Sequence, residues 1–147
     1  MPSREVSRMS PKTTIATATN FRAVDANDRR FYAIATVVSG LLWFEIVAKV
    51  ANRDRGSVSG KELFAAMMSH FGSKIKIIEG NWNAVGGLVD NLDQFNRAVA
   101  AGLSQEDAAA LTWTGLRASE CGFNRITIEY ANASMGKFDE VRVHFRR

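Results

Sequence analysis

Residues 31–50, FYAIATVVSGLLWFEIVAKV, constrain the fold more than any other segment of the chain. β-branched and aromatic residues flank the dipeptide Ser39-Gly40, a combination typical of a turn between two strands. One face of the second strand carries Leu42, Phe44, Ile46 and Ala48, and the other carries Trp43, Glu45, Val47 and Lys49. A strand with apolar residues on both faces is covered on both sides, as are strands near the middle of a sheet. The segment therefore predicts two adjacent strands inside a sheet.

The same segment is the only candidate for a membrane span, and it does not fit one. Ser39-Gly40 interrupts the apolar run, and Glu45 and Lys49 fall inside its second half. The uncharged run is shorter than the roughly 20 residues that a spanning helix needs. We therefore expect a soluble protein with no membrane association. A single cysteine, Cys121, excludes an internal disulfide and favours a reducing compartment, so we expect a cytoplasmic location.

A well-marked helix follows the apolar segment. Ser59 and Glu62 have the spacing of a capping box, in which each side chain accepts a hydrogen bond from the other residue's backbone N–H. Gly72 then provides a stop signal. The apolar stripe between them consists of Leu63, Phe64, Met67, Met68 and Phe71. Residues 59–72 therefore predict one amphipathic helix.

The rest of the chain predicts an α+β domain. Strands are expected at 14–19, 74–79, 125–130 and 140–145, helices at 90–102 and 104–122, and a loop at 80–83 and 86–87. The complete prediction is a mixed or antiparallel sheet of about five to six strands packed by three helices. This single domain spans residues 13–147 and follows a flexible basic leader, residues 1–12.

The net charge of +4 favours acidic partners such as nucleic acid, phosphates or an anionic cofactor. Two histidines and one cysteine leave little material for a metal site, so we expect no metal.

The stretch LWFEIVAKVANRDRGSVSGKELFAAMMSHFGSKIKIIEG, residues 42–80, resembles the central part of GNAT N-acetyltransferases. The closing GFNRITIEY…GKFDEVRVHF is similar to the way those proteins end. The resemblance implies that backbone N–H groups at the helix start hold the pyrophosphate of acetyl-CoA, with Glu79 or Glu45 as the base. The matching loop positions are Arg53, Arg55, Gly56, Ser57, Ser59, Gly60 and Lys61. The same loop also fits an ordinary capped connection.

A second candidate site lies on the polar face of the C-terminal strand pair. Alternation predicts that Ile126, Ile128, Tyr130, Val141, Val143 and Phe145 face the core, and that Thr127, Glu129, Arg142, His144 and Arg146 face outward. A carboxylate and an imidazole can share acid–base work while arginines neutralise a phosphate, as a metal-independent ribonuclease requires. The alternative is a solvated face with cross-strand charge pairs.

A third candidate site is the run from Glu79 to Asn83 with Asp90, Asn91 and Asn96. Here Asn81 and Asn83 would donate hydrogen bonds and Glu79 would act as a base, just beyond a strand end. Alternatively, Trp82 covers the core edge and the asparagines serve the turn.

The run Thr112-Trp113-Thr114-Gly115 is unusual in a helix, because Gly115 lowers helix stability and suggests close packing or a break. The ending that contains it resembles C-terminal modules of bacterial polymorphic toxins. Three hypotheses follow. The first is an acetyl-CoA-dependent acyltransferase, and the second is a toxin or effector nuclease with an immunity protein as partner. The third is a non-catalytic inhibitor of phage or bacterial origin that binds through an exposed Trp82 and the basic ends of the chain.

Overall fold

The computed structural model describes residues 10–50, 54–55, 57–84 and 90–147, and the chain divides into two compact units, residues 1–75 and 76–147. The predicted α+β class is confirmed. Within the described residues the sheets contain seven strands instead of the predicted five to six, together with a short two-stranded ladder. The prediction of one domain over 13–147 stays a prediction. The predicted leader falls mostly outside the described residues, and its last residue, Lys12, begins the first strand.

The first unit is an antiparallel meander with a helix packed on it. Its elements are β1 (Lys12–Ala16), β2 (Asn20–Asp25), β3 (Asp28–Val38), β4 (Leu41–Val47), the short pair β5 (Lys49–Val50) and β6 (Asp54–Arg55), and α1 (Gly60–Phe71), followed by a 3-10 turn at Gly72–Lys74. Each of β1, β2 and β3 pairs with the next strand in the sequence. Residues 13–30 therefore contribute to three strands, whereas a single strand was predicted there.

The predicted turn between β3 and β4 is confirmed. Ser39 and Gly40 have φ values of 51° and 81°, which suit the tight hairpin turns whose twist matches that of the strands. The predicted ends of α1 are also confirmed. Ser59 and Glu62 form the reciprocal capping box, and Gly72 caps the last turn with a φ of 55°. Both features depend on neighbouring residues alone.

Helix α1 covers the core of the first unit. Leu63 and Met67 are fully buried, and the ring of Phe64 lies 5.6 Å from that of Phe44 on β4. Burying one such side chain contributes about 1.5–3 kcal/mol. The helix therefore holds the meander through its predicted apolar stripe.

The second unit is a three-stranded antiparallel sheet with three helices. Its elements are β7 (Ile77–Asn83), α2 (Asp90–Ala100), α3 (Gln105–Ala110), α4 (Trp113–Glu120), β8 (Arg125–Ser134) and β9 (Lys137–Arg146). The strand β9 lies between β7 and β8. Residues 80–83 belong to β7, so their prediction as a loop is wrong. The closing strands are confirmed, but each is longer than predicted.

The segment predicted as one helix at 104–122 is two helices, α3 and α4. Thr112 is the N-cap of α4, and its hydroxyl accepts a hydrogen bond from the N–H of Gly115. The backbone N–H groups of the two residues before Gly115 donate to side chains of α2. That of Trp113 donates to Gln94, and that of Thr114 donates to Asn91. A Cβ at position 115 would collide with backbone atoms of α3. The glycine therefore permits a close approach at the helix break, and the described part of the chain contains four α-helices rather than three.

Across the described ranges we find no helix with the length and apolar character to cross a membrane.

Candidate active site

The polar face of the second unit is the sheet surface opposite the side chains of Val141, Val143 and Phe145, which are fully buried. Antiparallel pairing sets its side chains in rows across three strands. His144 on β9 lies opposite Glu79 on β7 and Thr127 on β8. The next row along places Arg142 between Asn81 and Tyr130. Five of the six predicted catalytic residues thus lie on one face, although the sequence assigned them to separate sites.

A β-bulge shapes this face. Ile128 pairs with Val143 and Tyr130 pairs with Arg142, so Glu129 is an extra residue in β8. Because of the extra residue, the side chains that follow it in β8 point to the opposite face from the one that strict alternation would give them. Tyr130 is therefore 43% exposed, and its predicted position in the core is wrong.

His144 is the centre of the arrangement. Its Nε2 lies 2.9 Å from Glu79 Oε1, a hydrogen bond, and its Nδ1 lies 3.7 Å from Glu129 Oε2. The second distance is too long for a hydrogen bond, and Nδ1 is buried without a partner. An unpartnered buried nitrogen costs free energy, so this imidazole has a donor or acceptor position left for a further group.

The two carboxylates differ in access to solvent. The side chain of Glu79 is 14% exposed, that of His144 is 15% exposed and that of Glu129 is 34% exposed. Glu79 is therefore suited to orienting the imidazole and fixing its tautomer. Glu129 is the carboxylate that a bound molecule can reach.

Arginines share the polar face with the two carboxylates. The guanidinium of Arg142 lies 5.8 Å from the ring centre of Tyr130. Arg146 reaches the hydroxyl of Thr127 at 3.4 Å, and Arg125 lies opposite Arg146 in the ladder. Three cationic side chains on one face favour an anionic ligand.

Glu79 and Glu129 lie near different nitrogens of the His144 ring, so their carboxylates do not converge on a common point. Within the described ranges, no group of three or more His, Cys, Asp or Glu side chains has the geometry to hold a metal ion.

The predicted acetyl-CoA loop falls partly outside the described residues. Arg53 and Gly56 lie there, and Arg55 is described only as part of β6. Gly60 and Lys61 are the first two residues of α1. Ser57 donates to Asp25 at 2.9 Å, and the side chain of Ser59 caps α1.

Two backbone donors immediately before α1 are occupied by carboxylates of the same chain. The N–H of Val58 donates to the fully buried Asp25 at 3.0 Å, and that of Ser59 donates to Glu62 at 2.9 Å. These are the kinds of donor that would otherwise contact a phosphate.

Glu45 lies in the first unit on β4. Its carboxylate accepts a hydrogen bond of 2.6 Å from the hydroxyl of Tyr32 on β3. This bond, with burial, raises the pKa of Tyr32 to about 12. The carboxylate predicted as an alternative base therefore has a local partner.

The polar residues of the third candidate site are dispersed. Trp82 is only 5% exposed and packs against Phe95 and Phe145, so its predicted exposure is wrong. Asn96 exchanges two hydrogen bonds with the backbone of Phe138. Asn91 is committed to capping α4. Among these residues, Glu79, Asn81 and Asn83 alternate along β7 and lie on the polar face of the sheet.

The residue that sequence reasoning missed is Tyr130. The pattern RITIEY alternates without interruption, so it contains no signal for a bulge. Only the pairing with β9 reveals the change of face.

No protein-family model, curated protein sequence or solved structure matches this chain. Function is therefore inferred from the geometry of the polar face.

Proposed function

We propose that this protein is a metal-independent ribonuclease that cleaves RNA by transesterification at the polar face of β7, β9 and β8. The observation that carries the proposal is the position of His144, whose two ring nitrogens each face a carboxylate, beside Arg142 and Arg146. A general acid, a general base and a cation for the phosphate are the groups that such a reaction needs.

In this mechanism Glu129 is the general base, because it is the more exposed carboxylate. It removes the proton of a ribose 2′-hydroxyl, and the 2′-oxygen attacks the adjacent phosphorus. The P–O5′ bond breaks as His144 transfers a proton to the leaving 5′-oxygen. The products are a 2′,3′-cyclic phosphate and a free 5′-hydroxyl.

Glu79 accepts a hydrogen bond from Nε2–H, so the proton given to the leaving group is the one on Nδ1 of the doubly protonated imidazolium ring. Rotation of the exposed Glu129 side chain opens Nδ1, since no hydrogen bond joins the two groups. After cleavage the proton gained by Glu129 returns to His144 over the short distance between them. Arg142 offsets the charge that develops on the phosphate.

The test is cleavage of labelled single-stranded RNA by purified protein in excess EDTA. We expect 2′,3′-cyclic phosphate ends, with Glu129→Gln and His144→Ala lowering the rate by roughly 10²- to 10⁴-fold, the usual contribution of general acid–base groups. Glu140→Gln is the matched control, because Glu140 lies on the same strand as His144 and pairs with Asn83 and Asn132. It should keep full activity.

Two results would contradict the proposal. One is the absence of cleavage by folded protein at micromolar concentration. The other is cleavage that survives His144→Ala, which would indicate a contaminating nuclease. Circular dichroism of each variant separates loss of activity from loss of fold.

The acyltransferase hypothesis is tested separately by calorimetric titration with acetyl-CoA and free CoA. Saturable binding that is lost on changing Ser59 and Gly60 would favour it over the nuclease. The occupied N–H groups of Val58 and Ser59 weigh against such binding. A non-catalytic inhibitor would neither cleave RNA nor bind acetyl-CoA.

A further inference from the structure

Tyr130 presents an aromatic ring on the polar face, one row from His144. It lies opposite Arg142, and Arg142 is two residues from His144 on β9. Two residues along a strand span about 6.6–6.8 Å. The exposed ring therefore lies close to the acid–base groups.

Exposure of this ring is a consequence of the bulge at Glu129. Without the extra residue, Tyr130 would continue the alternation of Ile126 and Ile128, both half-buried, and face the core. The bulge instead leaves it 43% exposed. A bulge that re-aims a side chain beside an active site is a recurrent functional device.

The surroundings of the ring have the charge of a nucleic-acid contact. Arg142 lies over the tyrosine ring with its guanidinium carbon 5.8 Å from the ring centre. Arg125 and Arg146 lie opposite one another further along the same ladder. Aromatic rings on a sheet surface, with arginines beside them, bind single strands by stacking on bases while the cations contact phosphates.

Building on the proposed ribonuclease function, we infer that Tyr130 is a base-stacking residue and that the substrate class is single-stranded RNA. A base flanking the scissile phosphate stacks on the tyrosine ring, and Arg142 contacts the phosphate between that base and His144. Bases in a duplex are already stacked on their neighbours, so double-stranded RNA does not offer the required surface.

Binding is measured apart from cleavage with a fluorescent 2′-O-methyl RNA oligonucleotide, whose blocked 2′-oxygen cannot attack the phosphate. We expect Tyr130→Ala to weaken binding in an anisotropy titration by about 5- to 150-fold, the range for loss of one stacked base. Tyr130→Phe keeps the ring and should bind like the wild type. Met135→Ala is the matched control, because Met135 is a fully exposed apolar residue at the tip of the same hairpin.

The outcomes separate the stacking residue from the reaction. Equal binding by wild type and Tyr130→Ala, or tighter binding of a 2′-O-methyl duplex than of the single strand, would overturn this inference even if His144-dependent cleavage is observed. Weaker binding by Tyr130→Ala with rescue by Tyr130→Phe supports it. With unmodified RNA the same substitution should raise KM more than it lowers kcat.

Discussion

Replacing Gly80 by alanine should destabilise the protein, although alanine is ordinarily the better residue in a strand. Gly80 lies within β7, where it is buried, and Trp82 follows on the same face. A Cβ added at position 80 would lie 2.9 Å from three atoms of the Trp82 indole. The glycine is therefore present because the tryptophan ring lies directly over it.

The size of the effect follows from two opposed terms. Alanine loses less backbone entropy on folding than glycine, which stabilises by about 0.5–1 kcal/mol. Overpacking a filled core costs about 1–3 kcal/mol. The indole is rigid and packs against Phe95 and Phe145, with ring centres 6.1 and 6.5 Å away, so it has little room to move. The upper part of the overpacking range applies, and we expect a net loss of about 1–2 kcal/mol.

Urea unfolding followed by far-ultraviolet circular dichroism measures this loss. The decisive comparison repeats Gly80→Ala in a Trp82→Leu background, where the collision is absent. There the alanine should be neutral or stabilising by up to about 1 kcal/mol. An equal loss of stability in both backgrounds, or a Gly80→Ala variant as stable as the wild type, would refute the packing argument.

Two further predictions concern the first unit. Burial raises the pKa of Asp25, but hydrogen bonds from the Asn27 N–H, the Ser57 hydroxyl and the Val58 N–H outweigh it, so the net pKa lies below the ordinary 3.8. The stabilisation that comes with this lowered pKa is complete above the pKa of Asp25 in the unfolded chain. It is lost as the pH falls through the lower pKa of the folded state. Asp25→Ala should therefore lower the free energy of unfolding by about 1–3 kcal/mol at pH 7, since it leaves a buried N–H unpaired. The difference from the wild type should shrink as the pH falls below 3.8. In the second prediction, Glu45→Gln should bring the pKa of Tyr32 down from about 12, because the hydrogen bond to that carboxylate is the main cause of the rise. Absorbance titration of tyrosinate measures this pKa, and Tyr32→Phe identifies the transition at high pH that belongs to Tyr32. A transition at the same pH in Glu45→Gln and the wild type would contradict the prediction.

The acid–base residues of the proposed site could be recognised from sequence only in part. Period-two alternation in the last two strands correctly put Glu129, Arg142 and His144 on one face. Glu79 was assigned elsewhere because its partner, His144, is 65 residues away. Nothing in local sequence specifies which strand pairs with β9.

The secondary structure shows the same contrast between features set by neighbouring residues and features set by residues far apart in the chain. The hairpin turn at Ser39-Gly40 and the capping box of α1 were predicted because each depends on residues within a few positions. Residues 80–83 were predicted as a loop because glycine and asparagine favour turns. Pairing of β7 with β9 and the packing of Trp82 on Gly80 override that local preference.

The sequence by itself determined the α+β class, the ends of the capped helix and the composition of the polar face, since these follow from periodicity and from neighbouring side chains. Tertiary structure alone decided that Glu79 meets His144, that a bulge turns Tyr130 outward, and that a new helix, α4, begins after Thr112. The physical reason is common to all three. Strand register and helix docking are set by hydrogen bonds and packing between residues far apart in the chain, and no local pattern encodes those partners.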